Sequence, residues 1–113
     1  MIPKAVAKII EALDEKKAVN IQLLDMRDVV SYTDYVLICT ATSTTHSGAL
    51  MDHVEESVKE EIKPVYRNNT KDKTWLILDY GDIIVHVFAE SARLYYDLER
   101  FWGDAKRLNW GKS

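Results

Sequence analysis

The sequence predicts an α/β domain in which helices pack on a mixed β-sheet, and three observations support this fold class. The 113 residues suffice for one ordinary domain, and 47% of them are hydrophobic, which is enough for a core. The apolar residues recur at helical spacing in some segments and form strand-like runs in others. These segments follow in the order helix, strand, strand, helix, hairpin, helix, which is typical of helices layered on a sheet.

The first half of the chain predicts a helix, two strands and a second helix. Apolar residues from Ile2 to Leu13 recur at three- and four-residue steps, with charged residues on the opposite face. Residues 20–25 alternate partly, like a strand, whereas residues 34–40 form a more continuous apolar run typical of a buried strand. We expect one hydroxyl-bearing residue between 41 and 45 to cap a helix that continues to about Ile62.

The second half predicts a polar loop over residues 67–73, a hairpin over residues 75–88 and a last helix. This helix should run from about Glu90 to Trp102. We expect it to bury its large apolar residues, namely Leu94, Tyr95, Leu98, Phe101 and Trp102. The domain is therefore predicted to span residues 1–105, and residues 106–113 are predicted to form a short flexible tail.

The hairpin is predicted to have two unlike faces. If its loop consists of Tyr80 and Gly81, Asp79 lies opposite Asp82. One face is then wholly apolar and should belong to the core. The other face carries Trp75, Ile77, Asp79, Asp82, Ile84 and His86. The sequence leaves open whether this second face is exposed or covered by a helix.

Three features of the hairpin suggest partner binding. The two opposed carboxylates should repel each other by up to about 1 kcal/mol, which a cationic partner would relieve. Tyr80 is expected to be poorly buried at the hairpin tip. If the face is exposed, Trp75 and Tyr80 would be interface anchors. If it is covered, Trp75 is a core residue.

Composition excludes several classes of function. The chain has 15 Lys and Arg against 18 Asp and Glu, a net charge of −3. Proteins that bind nucleic acid through its phosphates usually carry a basic excess, so we expect little or no sequence-specific nucleic-acid binding. The longest apolar run is far shorter than the roughly 20 residues that span a bilayer, so no membrane partner is expected. The single cysteine, Cys39, forms no intrachain disulfide and lies in an apolar run, which favours a cytosolic protein with an inert thiol.

Catalytic and metal sites find little support in the sequence. His46 and His53 are seven residues apart near one face of a helix, but no third ligand stands at a recognisable spacing, and two surface histidines explain the pattern equally well. A nucleotidyltransferase needs a Gly-Ser dipeptide near a helix start and two carboxylates on one strand face. Here Ser47-Gly48 has the reverse order, and the two hairpin aspartates flank a turn. We therefore predict no enzymatic activity, no metal and no cofactor.

The stretch WLILDYGDIIVHVF at residues 75–88 closely resembles the W-[IV]-[LV]-[LV]-D-[YF]-G-D-[VI]-[VI]-V-H-[VI]-F signature of the ribosomal silencing factor family, also called RsfS or iojap-like. Residues 33–40 look like the family's A-D-Y-F-[VI]-I strand, and residues 43–54 are similar to its following helix. Residues 92–102 resemble the family's A-R-x-Y-Y-D-L-E-x-[LF]-W ending. The sequence departs from the family pattern at residues 41–43 and 67–69, both at junctions between predicted elements.

The resemblance implies a fold like that of nucleotidyltransferases without their catalytic residues. It also implies binding to large-subunit ribosomal protein fourteen on the large ribosomal subunit, at the face that meets the small subunit. Subunit joining would then be blocked and translation lowered when nutrients are limiting. The resemblance further implies a homodimer of the free factor. The residues assigned to partner binding are Trp75, Asp79, Tyr80, Asp82, Ile84, His86 and Tyr96.

Two other functions stay open at this point. One is assembly of the large subunit, with silencing as an incidental effect, which predicts that immature large particles accumulate when the protein is lost. The other is nucleotidyl or phosphoryl transfer on the related fold, which predicts magnesium-dependent nucleotide binding measurable by calorimetry.

Overall fold

The computed structural model describes residues 2–110 and contains a six-stranded mixed sheet with helices on both faces. This confirms the predicted fold class. The elements in chain order are α1 (Lys4–Glu15), β1 (Val19–Asp25), β2 (Tyr35–Ala41), α2 (Thr44–Val58), β3 (Tyr66–Asn69), β4 (Trp75–Asp79), β5 (Ile83–Ala89), α3 (Glu90–Tyr96), α4 (Leu98–Phe101) and β6 (Lys106–Leu108). Within residues 2–110, no helix is both long enough and apolar enough to span a membrane.

The sheet is built around one parallel strand pair. The strand order is β3-β4-β5-β2-β1-β6. At its centre β2 and β5 run parallel, with pairing from Tyr35 opposite Ile83 to Ala41 opposite Ala89, and every other neighbouring pair is antiparallel. All of β2 is buried. Its continuous apolar sequence is explained by packing on both faces of the sheet.

Two hydrophobic clusters lie on opposite faces of the sheet. The larger one is covered by α1 and α2, whose inward residues include Val6, Ile9, Leu13, Leu50, Met51, Val54 and Val58. These are the positions at which helical spacing places apolar residues. The smaller cluster contains Leu24, Met26, Val36, Ile38, Ile84, Phe88, Ala92 and Ala105, and residues from α3, α4 and the segment after α4 cover it in part.

The second helix begins as the sequence predicts and ends earlier. Ser43 caps α2, because its hydroxyl accepts a hydrogen bond from the His46 backbone N–H at 3.0 Å. The helix stops at Val58 rather than near Ile62. The backbone N–H groups of Glu61 and Ile62 both donate to the Val58 carbonyl, so the chain leaves the helix through a tight turn while Ile62 still packs against the core.

The hairpin register differs from the predicted one by two residues. The loop consists of Gly81 and Asp82, and the Tyr80 N–H donates to the Ile83 carbonyl at 2.8 Å. Gly81 has a φ of +88°. A two-residue hairpin loop with a left-handed first position favours glycine there, whereas the predicted loop would have begun with tyrosine.

The shift by two residues preserves which side chains share a face but changes which ones oppose each other. Asp79 lies opposite Ile84, and Trp75 lies opposite Phe88. The predicted pairing of Asp79 with Asp82 is therefore wrong, and so is the repulsion inferred from it.

Two short strands at the edges of the sheet were not predicted. Strand β3 overlaps the first residues of the predicted polar loop and pairs with β4. Strand β6 falls within the predicted flexible tail and pairs with β1, and the Trp110 indole N–H donates to the Ile21 carbonyl at 3.1 Å. The prediction of a flexible tail is thus wrong for residues 106–110, and residues 111–113 lie outside the described residues. Both strands form because a neighbouring strand offers backbone partners, which their own sequences do not reveal. The division of the chain at residue 105 stays a prediction.

The predicted last helix is two helices joined at an elbow. Asp97 adopts a left-handed conformation with a φ of 48°, which ends α3 and begins α4. As a result the predicted burial is wrong for Leu94, Tyr95 and Phe101, which are 76%, 82% and 77% exposed. The residues of α3 that face the sheet are instead Ala92 and Arg93.

Two glycine-to-alanine substitutions should change stability in opposite directions. We expect Gly81→Ala to lower the free energy of unfolding by about 1 kcal/mol or more, because its left-handed backbone disfavours a side chain while its Cβ would contact nothing within 4 Å. Gly48→Ala is the matched control, since its Cβ also meets open space but lies inside α2. It should raise stability by about 0.5–1 kcal/mol. Urea unfolding of both variants measures these changes, and an unchanged midpoint for Gly81→Ala would contradict the strained turn.

Candidate partner-binding surface

The side of the β4–β5 hairpin that faces away from α1 and α2 carries a cluster of aromatic rings. The hairpin contributes three rings, α3 contributes one, and the segment after α4 contributes one. We call this cluster the aromatic face, and its members are Trp75, His86, Phe88, Tyr96 and Trp102.

The rings of the aromatic face form one continuous cluster around Trp75. The Trp75 ring centroid lies 4.5 Å from that of Tyr96, 5.1 Å from that of Phe88 and 5.8 Å from that of His86. The His86 ring centroid in turn lies 6.0 Å from that of Trp102. These separations are in the range at which aromatic pairs attract each other. The cluster is therefore already formed in the isolated chain.

A hydrogen bond fixes the protonation state of the central histidine. The Trp75 indole N–H donates to Nδ1 of His86 at 3.0 Å. Because an indole nitrogen can only donate, Nδ1 carries no proton, and the ring proton of neutral His86 lies on Nε2. That Nε2 atom is buried without a hydrogen-bond partner among residues 2–110. Burial lowers the pKa of His86 to about 4, so the ring is neutral near pH 7.

The sequence left open whether the Trp75 face is exposed or covered, and the structure shows an intermediate state. Trp75 is half-buried. Tyr96 packs on one side of it, while Trp102 packs over His86. The C-terminal helices thus cover the hairpin face in part and add their own side chains to it.

Beyond these rings, α3 and α4 present a strongly exposed apolar rim. Tyr95 packs edge-on against Tyr96 at 5.2 Å, and Phe101 packs against Trp102 at 5.9 Å. Among residues 2–110, eight large hydrophobic side chains are exposed, and four of them lie between residues 94 and 101. Such a concentration on a small protein is typical of an interaction site. We call Leu94, Tyr95 and Phe101 the apolar rim.

The residues assigned to partner binding do not all lie together. Trp75, His86 and Tyr96 belong to the aromatic face, and Ile84 is buried in the hydrophobic cluster beneath it. Tyr80, however, is on the opposite side of the hairpin, in the core under α1 and α2.

The expectation that Tyr80 is poorly buried is therefore wrong. Its side chain is 9% exposed, and its buried hydroxyl has no hydrogen-bond partner in the described part of the chain. Burial raises the pKa of this hydroxyl to about 12. The physical reason is the hairpin register, which makes Tyr80 the last paired residue on the core face.

The two hairpin aspartates have different surroundings. The Asp79 carboxylate accepts a hydrogen bond from the Gly81 N–H at 2.7 Å and stabilises the turn. Asp82 is exposed at the tip, and its carbonyl accepts the N–H groups of Asp34 and Tyr35, both at 3.0 Å. Of the two hairpin aspartates, Asp82 is thus the one that is exposed.

The apolar rim and Trp102 were missed as candidate binding residues. The sequence places Leu94, Leu98 and Phe101 on one stripe of a continuous helix, which is typical of a buried face. Nothing in that spacing indicates that the chain turns at Asp97.

The remaining histidines and the cysteine have structural surroundings. His46 Nδ1 accepts the Thr42 N–H at 2.9 Å and its Nε2 lies 2.6 Å from the Lys16 carbonyl, whereas His53 lies 2.9 Å from Glu15. Within residues 2–110, no group of three or more His, Cys, Asp or Glu side chains could hold a metal ion. Cys39 is buried, and burial raises the pKa of its thiol to about 12, so the thiol stays protonated near pH 7.

A cleft of about 590 Å³ lies where β2 and β5 end. In open α/β sheets, small molecules commonly bind beyond the carboxyl ends of the strands. The cleft is lined by hydroxyl groups of the β2–α2 junction and by charged residues of α3 and α4. Its acidic residues Glu90, Asp97 and Glu99 come from these helices or the elbow between them, and not as a pair from one strand.

Comparisons with known proteins agree with one another. The family model described as "Ribosomal silencing factor during starvation" matches residues 1–112. The ribosomal silencing factor RsfS of Bacillus subtilis is 36% identical over 107 residues, covering 93% of this chain and 91% of that protein. The chloroplastic protein Iojap of Zea mays is 34% identical over 95 residues, which are 84% of this chain but 42% of that protein. A crystal structure of a Chromobacterium violaceum protein superposes with a TM-score of 0.85 at 28% identity and covers 100% of this chain and 94% of the other.

The buried histidine predicts a pH dependence of stability. The pKa of His86 is lowered from 6.5 to about 4 on folding, so between these values the unfolded chain binds a proton that the folded chain does not. His86 therefore leaves the free energy of unfolding undiminished above pH 6.5. As the pH falls from 6.5 towards 4, proton uptake by this histidine in the unfolded chain lowers the free energy of unfolding by on the order of 2–3 kcal/mol. His86→Gln should remove this part of the pH dependence, which urea unfolding between pH 4 and 7 measures.

A surface histidine provides the control for this measurement. His53→Gln removes a histidine of α2 whose Nε2 lies 2.9 Å from a carboxylate oxygen of Glu15 and whose side chain is partly exposed. For each variant, the free energy of unfolding at each pH is subtracted from that of the parent. The difference removes the contribution of the carboxylates, which all three proteins share. If His86→Gln retains the full pH slope of the parent, the buried neutral state of His86 is not the cause.

Proposed function

Because this chain belongs to the ribosomal silencing factor family, we propose that it binds the large ribosomal subunit and prevents the small subunit from joining it. The proposed contact is large-subunit ribosomal protein fourteen, and the proposed effect is lower translation when nutrients are limiting. The proposed place of action is the cytoplasm, where these subunits meet.

The observation that carries the proposal is the continuity of the aromatic face with the apolar rim. Exposed Tyr95 packs on Tyr96, which itself packs on half-buried Trp75, and exposed Phe101 packs on half-buried Trp102. Aromatic side chains of this kind dominate the binding energy of protein interfaces. Because ring packing and the bond from Trp75 to His86 already order the cluster, little side-chain freedom is lost on binding.

The charge of the chain supports a basic partner. Its net charge is −3, and Asp82 is exposed at the hairpin tip. Ribosomal proteins are commonly basic, so opposite charges would accelerate the encounter and set its orientation. The aromatic face would then supply most of the binding energy after contact.

Inhibition in this proposal is steric and needs no chemical step. The Cα atoms of residues 2–110 extend over about 33 × 32 × 28 Å. A body of this thickness on the subunit-facing surface would hold the two ribosomal subunits apart. A role in large-subunit assembly would use the same binding surface, and sedimentation profiles of growing cells would reveal it as immature large particles.

The cleft at the carboxyl ends of β2 and β5 supports a second candidate function. Its volume of about 590 Å³ is within the range of small-molecule sites. A nucleotidyl or phosphoryl transferase would bind a magnesium nucleotide there. Calorimetric titration with magnesium ATP tests this function, and a steric silencing factor predicts no heat of binding.

Exposed aromatic residues allow a test in which the fold stays intact. We expect Tyr95→Ser and Phe101→Ser each to weaken binding to purified large subunits by about 2 kcal/mol, or roughly thirtyfold, without changing the melting temperature. The matched controls are Tyr66→Ser and Val65→Ser, which remove exposed apolar side chains at the β3 edge of the sheet. Co-sedimentation with separated subunits and a subunit-joining assay provide the readouts. Variants of the apolar rim that sediment like the parent would rule out this surface.

The proposed electrostatic attraction predicts a dependence on salt. Binding should weaken as ionic strength rises, because exposed charges are screened within about 8–10 Å. Asp82→Lys should slow association several-fold more than Glu11→Lys, which changes the net charge equally but lies on α1, over the sheet face opposite the aromatic face. Association rates at low and high salt measure the difference. Equal rates for the two variants would show that the charge at the hairpin tip does not guide the encounter.

A further inference from the structure

Arg93 differs from every other Lys, Arg, Asp and Glu in residues 2–110 in being buried, with 7% of its surface exposed. Its guanidinium group is held on three sides. Nε and Nη2 donate to the two carboxylate oxygens of Glu99 at 2.8 and 3.1 Å. Nη1 donates to the carbonyl of Asn20 at 2.8 Å and to the hydroxyl of Thr40 at 2.9 Å. A buried charge is tolerated only with such partners, so this arrangement specifies one geometry.

The two-oxygen contact with Glu99 bridges the elbow between the C-terminal helices. Arg93 belongs to α3 and Glu99 to α4, and the left-handed Asp97 lies between them. A non-glycine residue seldom adopts this conformation unless its surroundings hold it there. The guanidinium also lowers the pKa of the Glu99 carboxyl, chiefly through their hydrogen bonds, so the bridge is an ion pair at neutral pH.

On its sheet side, Arg93 bonds to a β-bulge in β1. The pairing of β1 with β2 shifts register between Val19 and Gln22, and Asn20 within this bulge has a φ of 51°. The carbonyl of Asn20 accepts the guanidinium, and the carbonyl of Ile21 accepts the Trp110 indole N–H. Bulges commonly redirect groups towards functional parts of a protein. This bulge directs two backbone acceptors to the C-terminal segment.

The ends of the bridged helices carry two rings of the aromatic face. Tyr96 is the last residue of α3 and packs on Trp75, while Trp102 directly follows α4 and packs on His86. We propose that Arg93 is the positioning residue of the partner-binding surface, which holds the α3–α4 elbow on the sheet so that these rings and the apolar rim are correctly placed. This inference rests on the proposed function, and it assigns Arg93 no contact with the partner.

Conservative variants separate positioning from charge. Arg93→Lys keeps the positive charge but loses the planar group that bonds both oxygens of Glu99. Glu99→Gln keeps the shape of the partner but loses its charge. Arg100→Lys makes the same exchange as the first variant at an exposed position of α4 and is the control. We expect the first two to weaken large-subunit binding about tenfold or more and the control to leave it unchanged.

Amide hydrogen exchange of the free protein gives a readout independent of the ribosome. The N–H groups of Asp97, Phe101 and Trp102 are bonded within the elbow. Arg93→Lys and Glu99→Gln should accelerate exchange there while leaving exchange in β2 and β5 at the parental rate. The double variant should resemble the weaker-binding single variant, because both changes break the same contact.

The outcomes distinguish this inference from the proposed function. A parent protein that fails to bind large subunits overturns the proposed function and with it the role of Arg93 in binding. A parent that binds, with Arg93→Lys and Glu99→Gln binding equally well, overturns the positioning role alone. If Arg93→Lys does not fold, the binding and hydrogen exchange of Glu99→Gln test the positioning role. Loss of protection spread evenly over the whole chain then overturns the inference, whereas loss confined to residues 97–102 with weaker binding supports it.

Discussion

The parallel pairing of β2 with β5 is the contact on which the rest of the structure depends. It joins segments almost fifty residues apart in the chain, from Tyr35 opposite Ile83 to Ala41 opposite Ala89. Because both strands end at the same edge of the sheet, α2 and α3 start side by side there. The helices then pass to opposite faces, α2 over the large cluster and α3 over the small one. One face of the hairpin therefore packs in the large cluster under α1 and α2, and the other lies in the small cluster, which is only partly covered.

The less covered face depends on polar contacts for its shape. Two short helices with few inward residues cannot be fixed by apolar packing alone, and their buried residues are only Ala92 and Arg93. The guanidinium group, the bulge in β1 and the neutral His86 ring supply the missing constraints through directional hydrogen bonds. A surface held in this way can leave aromatic side chains exposed without losing its order, which is what an interface needs before its partner arrives.

The sequence predicted those features that follow from local patterns. The fold class, a hydroxyl cap between residues 41 and 45 and the division of the hairpin into two faces all rest on periodicity or on one side chain near its own backbone. The register of the hairpin required knowing that Gly81, rather than Tyr80, opens the turn. The break at Asp97 and the strands β3 and β6 depend on contacts with distant residues, which a one-dimensional pattern does not contain. For the same reason Tyr80 was placed on the surface although it lies in the core, and the apolar rim was placed in the core although it lies on the surface.

The short outer strands have a consequence for the behaviour of the protein at high concentration. An open sheet can extend by pairing its unfilled edge with that of another molecule, and long, flat, apolar edges are those that aggregate. Here β3 ends one side after four residues that include Arg67 and Asn68, and β6 ends the other after three residues that include Lys106 and Arg107. Length and charge at both borders thus oppose fibril-like stacking. The unpaired backbone N–H and C=O groups of the two edge strands are therefore poor sites for pairing with another copy. Contacts between molecules would then form through side chains.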